Sequence, residues 1–157
     1  MKYSNPLLIL AGLLSFGAAI FQVAIGIVPE WSAYWGAGNE LVSNPPLLLG
    51  ASLVVGLLAA VGGLYALSGT GLIRRLPLLR SVLMVIGIIS TLRGIGLVTL
   101  LLTVLGVIPS QGPIPTTAWQ SSFAFLLIGL TYLSGLAYGW RSLSQQVPKV
   151  GHFETAR

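Results

Sequence analysis

Four apolar stretches, each long enough to cross a bilayer as a helix, dominate this chain of 157 residues. A transmembrane helix needs about 20 such residues to span roughly 30 Å of hydrocarbon at 1.5 Å per residue. The first runs over 7–28, between Pro6 and Pro29, and the second over 47–68, between Pro45-Pro46 and Gly69-Thr70-Gly71. Proline ahead of a helix and glycine behind it are the expected punctuation. The third, 78–108 between Pro77 and Pro109, is longer than a bilayer requires, so it must tilt, kink or begin among the headgroups. The fourth runs over 117–140.

Composition closes the soluble alternatives. Apolar residues make up 55% of the chain and charged ones 7%, against about 25% charged in ordinary soluble proteins. Too little polar surface is left to coat a water-facing domain, so lipid must solvate most of the outside. The expected fold is an all-α membrane protein with four transmembrane helices in a compact up-down bundle. It occupies 1–144 and is followed by a polar tail over 145–157.

Several chemistries are excluded on residue counts alone. There is no Cys, hence no disulfide, thiolate nucleophile or iron–sulfur cluster. The single His, His152, rules out a bis-His haem, and no metal ligand set or other cofactor is expected. The acids are Glu30, Glu40 and Glu154, with no Asp, so the spans hold no carboxylate pair for acid–base work. No nucleophile with a base and no phosphate-cradling loop is visible, which favours a non-enzymatic role.

The basic residues set an orientation. Lys2 precedes the first span; Arg74, Arg75 and Arg80 lie between the second and third; Arg141, Lys149 and Arg157 follow the fourth. The other two loops carry none. This asymmetry predicts both termini in the cytoplasm and a plasma membrane of the bacterial inner-membrane type. The net charge of +5 then reflects contact with the cytoplasmic leaflet, with membrane lipids as partners and no nucleic acid. Lys2, an apolar run and Gly17-Ala18-Ala19 imitate a secretory signal. The run continues unbroken to Val28, which favours a retained span.

The outer loop 29–46 places Trp31, Tyr34 and Trp35 at i, i+3 and i+4, the spacing of one face of a short interfacial helix. Either that helix anchors at the headgroups, or the loop dips as a lid and carries Glu30 or Glu40 inward. Trp119 and Trp140 are further interfacial aromatics.

An internal repeat is one reading of the chain. GLYALSG (Gly63–Gly69) and GLTYLSG (Gly129–Gly135) agree at five of seven places, and the same register sets Arg75 against Arg141. Two duplicated hairpins would produce this pattern, related by an axis along the membrane normal. Chance matches in a chain so rich in Leu, Gly and Ala also produce it.

Small residues line one side of every span, as helix association in lipid requires. They are Gly12, Ser15, Ala19, Gln22 and Gly26; Ser52, Gly56, Ala59, Ala60, Gly63 and Ala66; Gly87, Ser90, Thr91 and Gly94; and Thr131, Ser134, Gly135, Tyr138 and Gly139. These stripes pack within one chain or between copies of it.

One residue breaks the pattern. Arg93 sits near the middle of the third span, about 20 Å along the helix from Arg80 and too deep to snorkel. A central arginine costs about 2.5–3.5 kcal/mol on insertion scales. Gln22, Ser90, Thr91 and Tyr132 are neutral acceptors within the spans, but they leave the charge in place. Three roles follow. The charge is structural, helped by Glu30 or Glu40 from a dipping loop; or it binds an acid or carbonyl of a ligand or lipid; or it meets an acid of another membrane protein. The leading expectation is an intramembrane ligand or lipid pocket centred on Arg93. The alternatives are an accessory or assembly subunit of a larger membrane complex and, third, a small-solute transporter working as a homo-oligomer.

Overall fold

The computed structural model describes residues 5–35, 37–74, 76–109 and 115–144. All secondary structure among them is helical: α1 (Pro6–Ile27), α2 (Pro29–Tyr34), α3 (Asn39–Val42), α4 (Pro45–Thr70), α5 (Leu79–Gly94), α6 (Gly96–Val104) and α7 (Thr116–Ser144). Four candidate membrane spans result: α1, α4, the α5–α6 pair and α7 through Trp140. The tail 145–157 lies outside the described residues.

Helix ends follow from local chemistry. Pro6, Pro29 and Pro45 each open a helix, where a missing N–H costs nothing. Asn5 caps α1 by accepting from the N–H groups of Leu7 and Leu8, and Asn44 accepts from Leu47. Gly71 ends α4 in the left-handed region at φ 77°, as helix C-termini favour.

The third span departs from a continuous helix over 78–108. It breaks at Ile95, directly after Arg93 and Gly94, resumes as α6, and stops at Val104, with Gly106 at φ 74° just beyond. Three of the four residues Gly94, Ile95, Gly96 and Leu97 are weak helix formers, and Gly-rich sites are where helices bend. The loop 29–46 holds two short helices, α2 and α3, in place of one.

Packing pairs α1 with α4 and α5 with α7, and the pairs meet through α1 against α7 and α4 against α5. The glycines explain how close these pairs come. A Cβ on Gly12 would meet Leu67 at 3.1 Å, and one on Gly56 the Ala19 carbonyl at 3.3 Å. A Cβ on Gly26 would strike Ser52, and one on Gly63 the Phe16 ring at 3.0 Å. Between α5 and α7, Gly87 faces Leu133 at 2.7 Å, Gly129 faces Thr91, and Gly94 faces the Leu126 backbone at 2.6 Å. The fourth stripe differs from its expected form. Thr131, Gly135 and Gly139 are buried, but Ser134 and Tyr138 are exposed, and Tyr132 and Leu136 turn inward in their place.

The apolar core gathers at one end of the molecule, around Leu8, Ala11, Ala66, Leu79, Leu83, Tyr132 and Leu136. Leu8 is its hub. Gly69 and Gly135, the last glycines of the two similar segments, each lie so near that a Cβ would be 2.8 Å from its side chain. Asn5 ties the same region by donating its side-chain N–H to the Gly135 carbonyl at 2.7 Å. At this end Arg80 donates to the Trp140 carbonyl at 3.1 Å and lies 5.0 Å from that ring's centre. A cation near the C-terminal turn of α7 also meets a favourable helix dipole. Towards the opposite end the packing loosens, and α6 contributes no buried residue.

Candidate functional site

Arg93 stands where the core gives out. Two cavities share it as a wall. The first, of about 310 Å³, lies beneath the 28–44 loop and is lined by Gln22 of α1, Ser32 and Trp35, Leu41, and Ser52 and Val55 of α4. The second, of about 360 Å³, opens between α6 and α7 and is lined by Gly96, Thr99, Ser121, Ser122 and Phe125. Both volumes fall in the lower part of the range for small-molecule sites.

Each wall has a local cause. Gly94 brings α5 against Leu126, and Arg93, one residue earlier, lies by Phe125, the residue before Leu126. The break at Ile95 then lets α6 part from α7, which opens the second cavity. On the loop side, Ser32 donates its hydroxyl to the Ile25 carbonyl and folds α2 back over the end of α1. Trp35 packs edge-on against Phe21 at 5.1 Å and Tyr34 at 5.9 Å between ring centres. The aromatic trio therefore divides. Trp31 and Tyr34 are exposed, 52% and 62%, whereas Trp35 turns to the cavity wall.

The electrostatics are lopsided. The Arg93 guanidinium lies 4.9 Å from the centre of the Phe125 ring, and among the described residues it makes no hydrogen bond or ion pair. A cation–π contact is worth about 0.5–1 kcal/mol at an exposed site and about 2 kcal/mol when desolvated. That leaves part of the insertion cost of a central arginine without an offset. Glu30 and Glu40 do not supply it: both are exposed, in the first turns of α2 and α3, and line neither cavity.

Gln22 and Ser52 line the cavity with Arg93. Ser52 is 3% exposed, Gln22 is half-buried and Arg93 is exposed, and among the described residues none of the three side chains hydrogen-bonds to a protein group. Among the described residues, the buried side-chain atom without a partner is Arg80 Nε, at the other end of the molecule. Gln22 is a candidate by its depth in the first span, whereas Ser52 reads in the sequence as a packing residue; its contact with Gly26 sets it beside α1, at the cavity that Gln22 also lines.

The remaining candidates lie elsewhere. Tyr132 is fully buried in the core and shares a 2.8 Å hydrogen bond with Ser15, with Gly62 close by. Thr91 donates to the Gly87 carbonyl at 2.7 Å and packs on Gly129. Ser90 is buried and lines neither cavity. Trp119 is half-buried near the start of α7, and Trp140 is the exposed ring beneath Arg80.

Compared with protein families, with curated proteins and with solved structures, the chain matches none.

Proposed function

We propose that this is an integral membrane protein, non-enzymatic, whose role is to bind a small ligand or lipid in the cavity centred on Arg93. The observation that carries the reading is the meeting of Arg93, Gln22 and Ser52, from three different spans, at one cavity, where among the described residues none of them makes a side-chain hydrogen bond or ion pair and Arg93 has a cation–π contact with Phe125. In apolar surroundings such groups are costly unless a bound molecule satisfies them. The basic loops favour cytoplasmic termini in a bacterial-type inner membrane. The cavity then opens towards the outer leaflet beneath Trp35 and Leu41. On this reading the four spans form an up-down bundle, tight at the cytoplasmic end and open at the outer one.

The test is a structure of the protein extracted with its native lipids, paired with mass spectrometry of what co-purifies. A non-protein acid or carbonyl within hydrogen-bond reach of the Arg93 guanidinium is expected. Arg93→Ala and Arg93→Lys should both lose that molecule, Lys because it lacks the planar fork. Protein carbonyls or Glu30 in that position would overturn the reading.

A second reading has its own support. The α5–α6 span is the least buried of the four, 11% of its apolar window against 28% to 33% for the others. That bare surface suits an accessory subunit docked to a larger membrane complex. Extraction in mild detergent should then bring a partner along, and a monodisperse particle of this chain alone would count against it.

A further inference from the structure

The chemistry of the cavity narrows what it holds, given the pocket reading above. Arg93 is the one charged side chain among the lining residues of either cavity. A neutral ligand would leave its charge uncompensated. A second negative charge on the ligand would itself be stranded in a low-dielectric site, at a cost of several kcal/mol. A phosphomonoester carries about −1.5 to −2 at neutral pH and so overshoots. One negative charge is the match.

Shape and lining narrow it further. The planar guanidinium pairs with a planar carboxylate through two parallel N–H···O bonds, and the Gln22 amide and Ser52 hydroxyl offer further donors beside it. The rest of the wall is hydrocarbon and aromatic: Ile25, Trp35, Leu41, Leu48 and Val55. The cavity, about 310 Å³, is open on one side.

We propose that the ligand is a monocarboxylate with an apolar body. Its carboxylate lies among Arg93, Gln22 and Ser52, and its body lies against Trp35 and Val55.

Octanoate, a monocarboxylate with an apolar chain, is the probe. Binding of radiolabelled octanoate to the full chain in phosphatidylcholine nanodiscs is measured against empty nanodiscs, with unlabelled octanoate, octanol and octyl phosphate as competitors. Saturable binding is expected, with octanol and octyl phosphate each at least ~10-fold weaker than octanoate. Arg93→Gln should weaken binding at least ~10-fold, the loss of a charge-assisted bidentate pair, and Ser52→Ala and Gln22→Leu several-fold each. The latter two keep the test valid if Arg93→Gln fails to fold.

Octyl phosphate or octanol competing as well as octanoate, with dependence on Arg93, overturns the carboxylate and leaves the pocket standing. The carboxylate is likewise overturned, and the pocket kept, if octanoate does not bind while a native molecule still co-purifies in an Arg93-dependent way. Octanoate binding that survives all three substitutions is partition into lipid and overturns the proposal. Absence of both a probe and a native molecule overturns the pocket reading along with it.

Discussion

Gly94→Ala is the sharpest test of the α5–α7 seam. The added Cβ would sit 2.6 Å from the Cα, Cβ and N of Leu126. Carbon atoms rest at about 3.5–4.0 Å, so the two helices must part by about 1 Å at this point. Two of the three contacted atoms are backbone, and no rotamer change relieves them. The movement also loosens the neighbouring contacts of Gly87 with Leu133 and of Gly129 with Thr91. Overpacking of this kind costs about 1–3 kcal/mol. The gain of Ala over Gly is at most about 1 kcal/mol, and less at a helix's last residue. A net loss of about 2 kcal/mol is expected, close to a 30-fold fall in the folded-to-unfolded ratio. Gly50→Ala supplies the control, since Gly50 is exposed and a Cβ there meets nothing within 4 Å. It should be neutral or gain up to about 1 kcal/mol. Reversible unfolding in mixed micelles, or steric trapping in bicelles, measures both. Equal stabilities for the two variants would refute the close approach of α5 and α7.

Two further substitutions probe the other end of the molecule. Asn5→Ala removes a helix cap and the cross-helix bond to the Gly135 carbonyl, and should cost about 1–2 kcal/mol in the same unfolding assay. Asn5→Ser, which keeps a capping oxygen, should recover part of it. Tyr132→Phe deletes the bond to Ser15 and should cost about 0.6 kcal/mol, below about 1.7 kcal/mol in any case. It should leave ligand binding at Arg93 unchanged, and a matching loss of binding would mean that Tyr132 belongs to the site after all.

Depth along a helix can be read from a sequence, and direction around it less well. The spans, their proline starts and the central position of Arg93 follow from counting residues at 1.5 Å each. The close contacts of Gly12, Gly56, Gly87 and Gly94 were legible because small residues at helical spacing have one common use in lipid. Tyr132 shows the limit. On α7 Tyr132 and Leu136 face the core, whereas Ser134 and Tyr138, expected on the packing stripe, are exposed. The break at Ile95 had a signal in the two flanking glycines. The length of the run admitted a kink without placing it, because hydropathy does not register backbone bends. Trp35 left the face of Trp31 and Tyr34 because α2 ends at Tyr34, so helical spacing no longer applies one residue on.

The bond from Asn5 to Gly135 spans 130 residues of chain. At a synthesis rate of about 5–20 residues per second, the Asn5 amide waits roughly 6–26 s before its acceptor exists. Leu8 waits as long for Gly135, although Gly69 reaches it from the second span well before. The first helix is thus inserted with its cap made and its cross-helix tie open, and the arrival of the final span closes it. Until α7 is in place, the Asn5 amide lacks the Gly135 carbonyl and Leu8 has only Gly69 of its two glycine neighbours.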